Sequence, residues 1–270
     1  MSEIKRWVLG IEYDGSHFCG WQWQRNGRSV QAALEQALSV VANHAVTVLC
    51  AGRTDAGVHA LEQVVHFDSH AQRSANAWLL GGNSHLPADV RITWTQPAQA
   101  DFHARYSAIA RLYRYEILNR PVRSALLHKQ TTWCYAPLDA QAMHTAAQTL
   151  VGSHDFSSFR AAGCQSNSPF RELYFIDVHR DHERVIIEVS ANAFLHHMVR
   201  NIAGVLIEIG ANRQAISWTQ YLLEVKDRTQ AGLTAPPEGL YLASVFYPKE
   251  YGIAADALFK KLPSDAKRFD

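Results

Sequence analysis

The sequence predicts an α+β protein made of two related α/β subdomains, with largely antiparallel mixed sheets side by side and an active-site cleft between them. Three observations lead there. The 270 residues suffice for two cores of ordinary size. The apolar fraction of 47% and charged fraction of 19% are those of a globular chain with no low-complexity tract. Two successive halves run through a similar order of strands and helices. The expected division is residues 1–105, then 106–248, then a C-terminal tail over 249–270.

In the first half, residues 6–13 alternate well enough for a strand, which Asp14-Gly15 breaks. Ser29 caps a helix whose apolar positions Val30, Leu34, Ala37, Leu38 and Val41 fall at helical spacing, and Val46 to Ala51 reads as a buried strand. Glu62 to Asp68 gives another strand, Ser74 caps a short helix through Leu80, and Val90 to Thr95 is extended again. The order is β-α-β-β-α-β.

The second half opens with strands at Leu112 to Leu118 and Thr131 to Tyr135, then a helix capped by Asp139 and ending near Gly152. Tyr174 to Arg180 and Arg184 to Ser190 form a hairpin. An apolar helix follows from about Ala193 to Ile209, and a smaller helix and a last strand, Leu240 to Phe246, complete the half.

No apolar run reaches the roughly 18 residues of a membrane span, and Met1 to Trp7 lacks the apolar core of a signal peptide, so a cytoplasmic protein is expected. Cys19, Cys50, Cys134 and Cys164 form no Cys-x-x-Cys pair and read as reduced thiols. The net charge of +1 hides a basic window in which Arg105, Arg111, Arg114, Arg120, Arg123 and Lys129 face Glu116 alone. Phosphate attraction acts locally under salt screening, so a near-neutral chain can still bind a polyanion.

The segment Gly52-Arg53-Thr54-Asp55-Ala56-Gly57-Val58-His59-Ala60 sets an acid between two glycines directly after a strand. Glycines permit backbone paths closed to other residues, which could hold Asp55 outward toward a substrate. An ordinary turn between strands explains the same pattern.

The helix from Ala193 is apolar around most of its circumference and should be buried. His197, Arg200, Asn201, Gly204 and Glu208 make one polar stripe along it. A buried arginine needs an anionic partner, and its fork can orient a carboxylate, which makes Arg200 the candidate partner of Asp55. A structural salt bridge or a solvent-facing stripe fits equally well.

The run Arg111 to Glu116 places Arg111, Tyr113 and Tyr115 on one face of a strand and Leu112, Arg114 and Glu116 on the other. Rings beside cations suit unstacked RNA bases, although core tyrosines account for the spacing too. Among the 14 histidines there is no His-Glu-x-x-His, and the adjacent His196 and His197 are expected on different helix faces, so no functional metal is expected. Walker, dinucleotide and nucleophile-elbow motifs are absent from the sequence, leaving an acid-centred reaction as the enzymatic option.

These segments together resemble the TruA family of tRNA pseudouridine synthases, whose catalytic signature Gly52 to Ala60 matches. The resemblance extends over Tyr13-Asp14-Gly15, Gly20-Trp21-Gln22, Asp101-Phe102-His103-Ala104-Arg105, His154-Asp155-Phe156, Ser158-Phe159, Phe194 to Asn201 and Ala235 to Tyr241, and stops near Pro248. Phe170 stands where some relatives have tryptophan, and Ala203 where valine is usual.

The resemblance implies that Asp55 is the catalytic aspartate, Arg200 the basic residue paired with it, Tyr113 the aromatic stacked on the target base and Arg53 a contact to the flipped nucleotide. It also implies isomerisation of uridine to pseudouridine at tRNA anticodon stem-loop positions 38 to 40, without metal or organic cofactor, by a homodimer. Two other classes stay open on the residues alone: a non-catalytic RNA-binding protein, and a metal-dependent hydrolase built on several histidines.

Overall fold

The computed structural model describes residues 3–253. In chain order its elements are β1 (Lys5–Tyr13), α1 (Val30–Ala42), β2 (Leu49–Cys50), β3 (His59–Ser69), a π-helical segment (Ala77–Gly81) running into α2 (Gly82–His85), and β4 (Val90–Ala98). They continue with β5 (Ala110–Asn119), β6 (Thr132–Cys134), α3 (Ala140–Ala147), β7 (Gly152–Asp155), β8 (Phe170–Asp181), β9 (Arg184–Ala191), α4 (Met198–Gly210), α5 (Trp218–Val225) and β10 (Leu240–Phe246). The class is α+β with largely antiparallel, mixed pairing, as expected. No helix among the described residues is long and apolar enough to cross a membrane.

The described chain falls into two compact units, residues 3–109 with 241–253, and residues 110–240. The first carries the β-α-β-β-α-β order read from the sequence. Its strands run β4-β1-β3-β10, and β2 also pairs with β3. β1 lies antiparallel between β3 and β4. On the other edge of β3, β10 pairs in parallel at His59 and Ala60, whereas β2 pairs antiparallel at Val65 and His66.

Ser29 caps α1 by accepting a hydrogen bond from the Ala32 amide, and the helix buries Val30, Leu34, Ala37, Leu38 and Ala42 along one face. Burying each of Val30, Leu34 and Leu38 contributes roughly 1.5–3 kcal/mol. Trp78, from the π-helical segment, is fully buried with its ring 6.0 Å from Trp7 and 5.0 Å from Phe67.

In the second unit the strands run β6-β5-β9-β8-β7, with β5 and β6 parallel and the other pairs antiparallel. Asp139 caps α3 through the Gln141 and Ala142 amides, and α3 buries Met143, Ala146 and Ala147. A side chain at Gly210 of α4 would collide with Met143, so the glycine lets the two helices approach closely.

The structure departs from the sequence reading in five places. Residues 7–11 of β1 are buried without alternation, the pattern of a central strand covered on both faces. The strand expected over Val46 to Ala51 shrinks to Leu49–Cys50, because the Val46 and Val48 amides donate to Ser39 and Glu35 of α1 instead of to a neighbouring strand. The helix expected from Ala193 starts only at Met198. Residues 193–197 form a turn in which the Asn192 side chain accepts the Ala193 amide and His197 takes a left-handed φ of 60°. Their rings therefore do not diverge around a helix: His196 and His197 lie 3.9 Å apart, tilted by 37°. Finally, β10, expected to close the second half, hydrogen-bonds to β3 in the first unit.

Of the expected tail 249–270, only the start is described. There Gln99 donates to the Glu250 carbonyl and Tyr251 packs edge-on to Phe102, 5.2 Å away. Residues 254–270 lie outside the described residues.

Candidate active site

The loop carrying Asp55 connects β2 to β3 in the first unit, and its path is held at four points. At its start, Ala51 donates to Val64, and the fully buried Gln63 side chain bonds Gly52 in both directions, accepting at 3.3 Å and donating at 2.5 Å. The next hold is on Thr54. Its hydroxyl lies 2.7 Å from that of the buried Tyr13, and its carbonyl accepts the Trp21 amide at 3.0 Å.

Third, Gly57 takes a φ of +78°, in the left-handed region that favours glycine, and donates to Phe18, while Val58 donates to the Asp55 carbonyl. Fourth, Gly15 donates to His59 Nδ1, and no side chain fits at Gly15 because it would run into the Val58 carbonyl. His59 is buried, 3.1 Å from the Asp14 carboxylate, and stacks on Tyr241 at 4.7 Å. Burial opposes the Asp14 charge, yet the Ser16 hydroxyl and amide, with His59 alongside, hold its carboxyl below the ordinary range.

The Asp55 side chain is half-buried between the exposed Arg53 and Ala56 and the buried Thr54 and Val58. A loop anchored on both sides of one acid fixes where that carboxylate points before any ligand arrives, which is what a nucleophile or base needs. Just upstream, burial pushes the Cys50 thiol up to about 12, against the pull of Arg53 and Arg105. That thiol is protonated at neutral pH and is no nucleophile.

The other two candidates belong to the second unit. Tyr113 and Tyr115 share one face of β5, as the alternation predicts, but they do different things. Tyr115 is fully buried, its hydroxyl donating to the Pro236 carbonyl and lying 2.6 Å from Thr132 Oγ1, and burial pushes its phenol up. Tyr113 is half-buried, its ring edge-on to Phe194 at 5.0 Å. On the opposite face Arg114 pairs with Glu188 at 2.8 Å and Glu116 with Arg184 at 3.3 Å, so one cation of the basic window and its lone acid are spent on structural ion pairs.

Arg200 lies in the first turn of α4 and is half-buried, with Nε donating to the Ala235 carbonyl at 2.8 Å. The polar stripe expected on this helix meets the 228–235 segment. Asn201 accepts from Arg228 and Thr234 and donates to the Phe159 carbonyl, and Gly204 leaves room for the Leu233 carbonyl. Glu208 pairs instead with Arg213, 2.7 Å away. Thus Arg53 and Asp55 share one loop of the first unit, and Tyr113 and Arg200 sit in the second.

Sequence reasoning missed the residues that hold the Asp55 loop. Gln63 lies in a segment that reads as plain strand, and Thr54 and Tyr13, although inside motifs that carry the family resemblance, give no local sign of the bond between them. The available signal was an uncharged polar residue, Gln63, inside the apolar run of β3, since buried amides are normally hydrogen-bonded.

Comparison with known proteins bears on these residues. A family model described as tRNA pseudouridine synthase matches residues 10–107 and 146–248. Arg53, Asp55 and Arg200 fall inside the matched segments, and Tyr113 falls between them. The tRNA pseudouridine synthase A of Methylococcus capsulatus is 61% identical over 264 residues, covering 98% of this chain and 97% of its own. The proteins of the same name from Shewanella amazonensis and Coxiella burnetii are each 55% identical over 248 residues, covering 92% of this chain and 95% of theirs.

Proposed function

This chain belongs to the tRNA pseudouridine synthase family, whose members are isomerases, and from that premise we propose that it converts uridine to pseudouridine at positions 38, 39 and/or 40 of the tRNA anticodon stem-loop. Asp55 is the catalytic nucleophile or base. The observation that carries this reading is the loop itself: a single half-buried carboxylate in a loop tied to neighbouring segments at Gly52, Thr54 and Gly57.

The reaction breaks the bond from N1 of uracil to C1′ of the ribose, turns the base, and joins C1′ to C5, which then loses a proton while N1 gains one. An ionised Asp55 can serve in three ways: attack on C1′, addition to C6, or removal of the C2′ proton. Each requires an aimed, deprotonated carboxylate and a base taken out of its stack. Arg200 is the cationic partner that orients the carboxylate, Tyr113 holds the extruded ring, and Arg53 contacts the flipped nucleotide. Nothing in this scheme calls for a metal or an organic cofactor. The enzyme acts in the cytoplasm as a homodimer.

Mapping pseudouridine in tRNA transcripts that carry uridine at only one of positions 38, 39 and 40 tests the reading. Conversion at one or more of the three supports it, and conversion only elsewhere in the tRNA would refute the site assignment while leaving the reaction type intact.

A further inference from the structure

Between β4 and β5 the chain makes a turn, residues 102–107, whose backbone is unusually well tied. His103 Nδ1 accepts from the Arg105 amide at 3.1 Å and the Tyr106 amide at 3.2 Å. The His103 amide donates to Ser107 Oγ, and the Ser107 amide donates back to the His103 carbonyl. Ala104 donates to His66 Nδ1 and accepts from the Tyr247 hydroxyl at 2.7 Å. Ala104 and Ser107 are fully buried.

On this rigid turn Tyr106 stands 64% exposed. Its ring lies 4.4 Å from that of His103, which in turn lies 4.6 Å from the ring of His66, and the Arg105 guanidinium is 5.5 Å from the Tyr106 ring. The turn adjoins the Asp55 loop. His66 sits opposite Leu49 in the β2–β3 ladder, and the next residue, Cys50, leads into that loop and feels the charges of both Arg53 and Arg105.

A single exposed tyrosine needs no explanation, but this one is presented on a backbone held by six hydrogen bonds, backed by a second ring and flanked by the Arg105 guanidinium, whose charge reaches Cys50 together with that of Arg53. A preset ring loses little entropy when a base stacks on it, and arginine supplies the phosphate contact that stacking lacks. We propose that the His103–Tyr106 turn is a second nucleic-acid contact, with Tyr106 stacking on an unpaired base that flanks the target uridine and Arg105 and Arg53 holding the adjoining phosphates. This rests on the reading of the chain as a tRNA pseudouridine synthase.

The test measures the affinity of an anticodon stem-loop RNA for full-length protein in the Asp55→Ala background, so that binding is scored apart from catalysis. Tyr106→Ala is expected to weaken binding roughly 5- to 100-fold, with Tyr106→Phe restoring it. Arg105→Gln is expected to lower the slope of log affinity against log salt by about one. Thermal unfolding of each variant confirms that the turn still folds. Affinity within twofold of the parent for Tyr106→Ala, or equal losses for the alanine and phenylalanine variants, would overturn the proposal. Failure of the wild-type protein to form pseudouridine would strike the functional reading instead, because these affinities do not depend on turnover.

Discussion

The Tyr13 hydroxyl lies 2.7 Å from the Thr54 hydroxyl, and both are buried. This bond joins the end of β1 to Thr54, 41 residues later and immediately before Asp55, so the position of the candidate catalytic acid is set in part by a distant strand end.

Removing that bond from one side leaves a buried hydroxyl without its partner, which costs about 1–3 kcal/mol. Tyr13→Phe is expected to lower unfolding free energy in urea by that amount. It should also slow single-turnover pseudouridine formation more than it weakens tRNA binding, because it loosens the acid and leaves the RNA contacts intact.

Gly20 bears on the same loop from the opposite side. Its φ is +97°, and a Cβ there would sit 2.7 Å from the Thr54 carbonyl oxygen. Gly20→Ala combines strain of about 1–3 kcal/mol with displacement of Thr54. The expected outcome is a fall in kcat of at least tenfold, roughly the effect of misplacing a reacting group by an ångström or less, with KM changed little. Steady-state kinetics on unmodified tRNA reads both.

Arg200 is expected to tolerate lysine poorly. Its Nε is committed to the Ala235 carbonyl, so the remaining guanidinium nitrogens are oriented by the backbone, an arrangement that lysine's point charge cannot reproduce. Single-turnover rates should fall by about 10²-fold or more in Arg200→Lys as well as in Arg200→Ala, on the scale of a lost charge-orienting group. Full activity in the lysine variant would show that charge alone suffices.

His66 gives the first unit a pH dependence. Burial, with His103 and Arg6 nearby, lowers its imidazole to about 4 from the ordinary 6.5. Between those values the unfolded chain takes up a proton that the folded chain excludes. Stability from this group is therefore complete above pH 6.5 and is lost as pH falls toward 4, by up to about 3 kcal/mol. Urea unfolding across that range should show the loss, and His66→Asn, which keeps an acceptor for the Ala104 amide, should flatten it.

Much of this was legible in the sequence, for identifiable reasons. The α1 cap at Ser29, the alternation that sets Tyr113 and Tyr115 apart from Arg114 and Glu116, and the β8–β9 hairpin all follow from local periodicity and local hydrogen bonding. Asp55 stood out because glycines flank it. What stayed hidden depends on partners distant in sequence. β10 joins β3, about 180 residues away, through pairing that no local pattern encodes. Val46 and Val48 have strand-like composition, but side chains of α1 took their amides. The shortened α4 turns on Asn192 accepting the Ala193 amide and on one left-handed residue, His197, which carries no glycine to announce it. Of the His103–Tyr106 turn only His103, Ala104 and Arg105 fell within a family motif and Tyr106 did not, since the order of the turn comes from His66, Ser107 and Tyr247.

The central claim is that Asp55 performs the chemistry. The most direct measurement is tritium release to solvent from tRNA carrying C5-tritiated uridine, comparing wild-type protein with Asp55→Ala at matched tRNA occupancy and in the presence of a chelator. The expected result is release by the wild type and a loss of more than about 10³-fold in the variant, with tRNA binding retained. Comparable release by both proteins would contradict the assignment of Asp55.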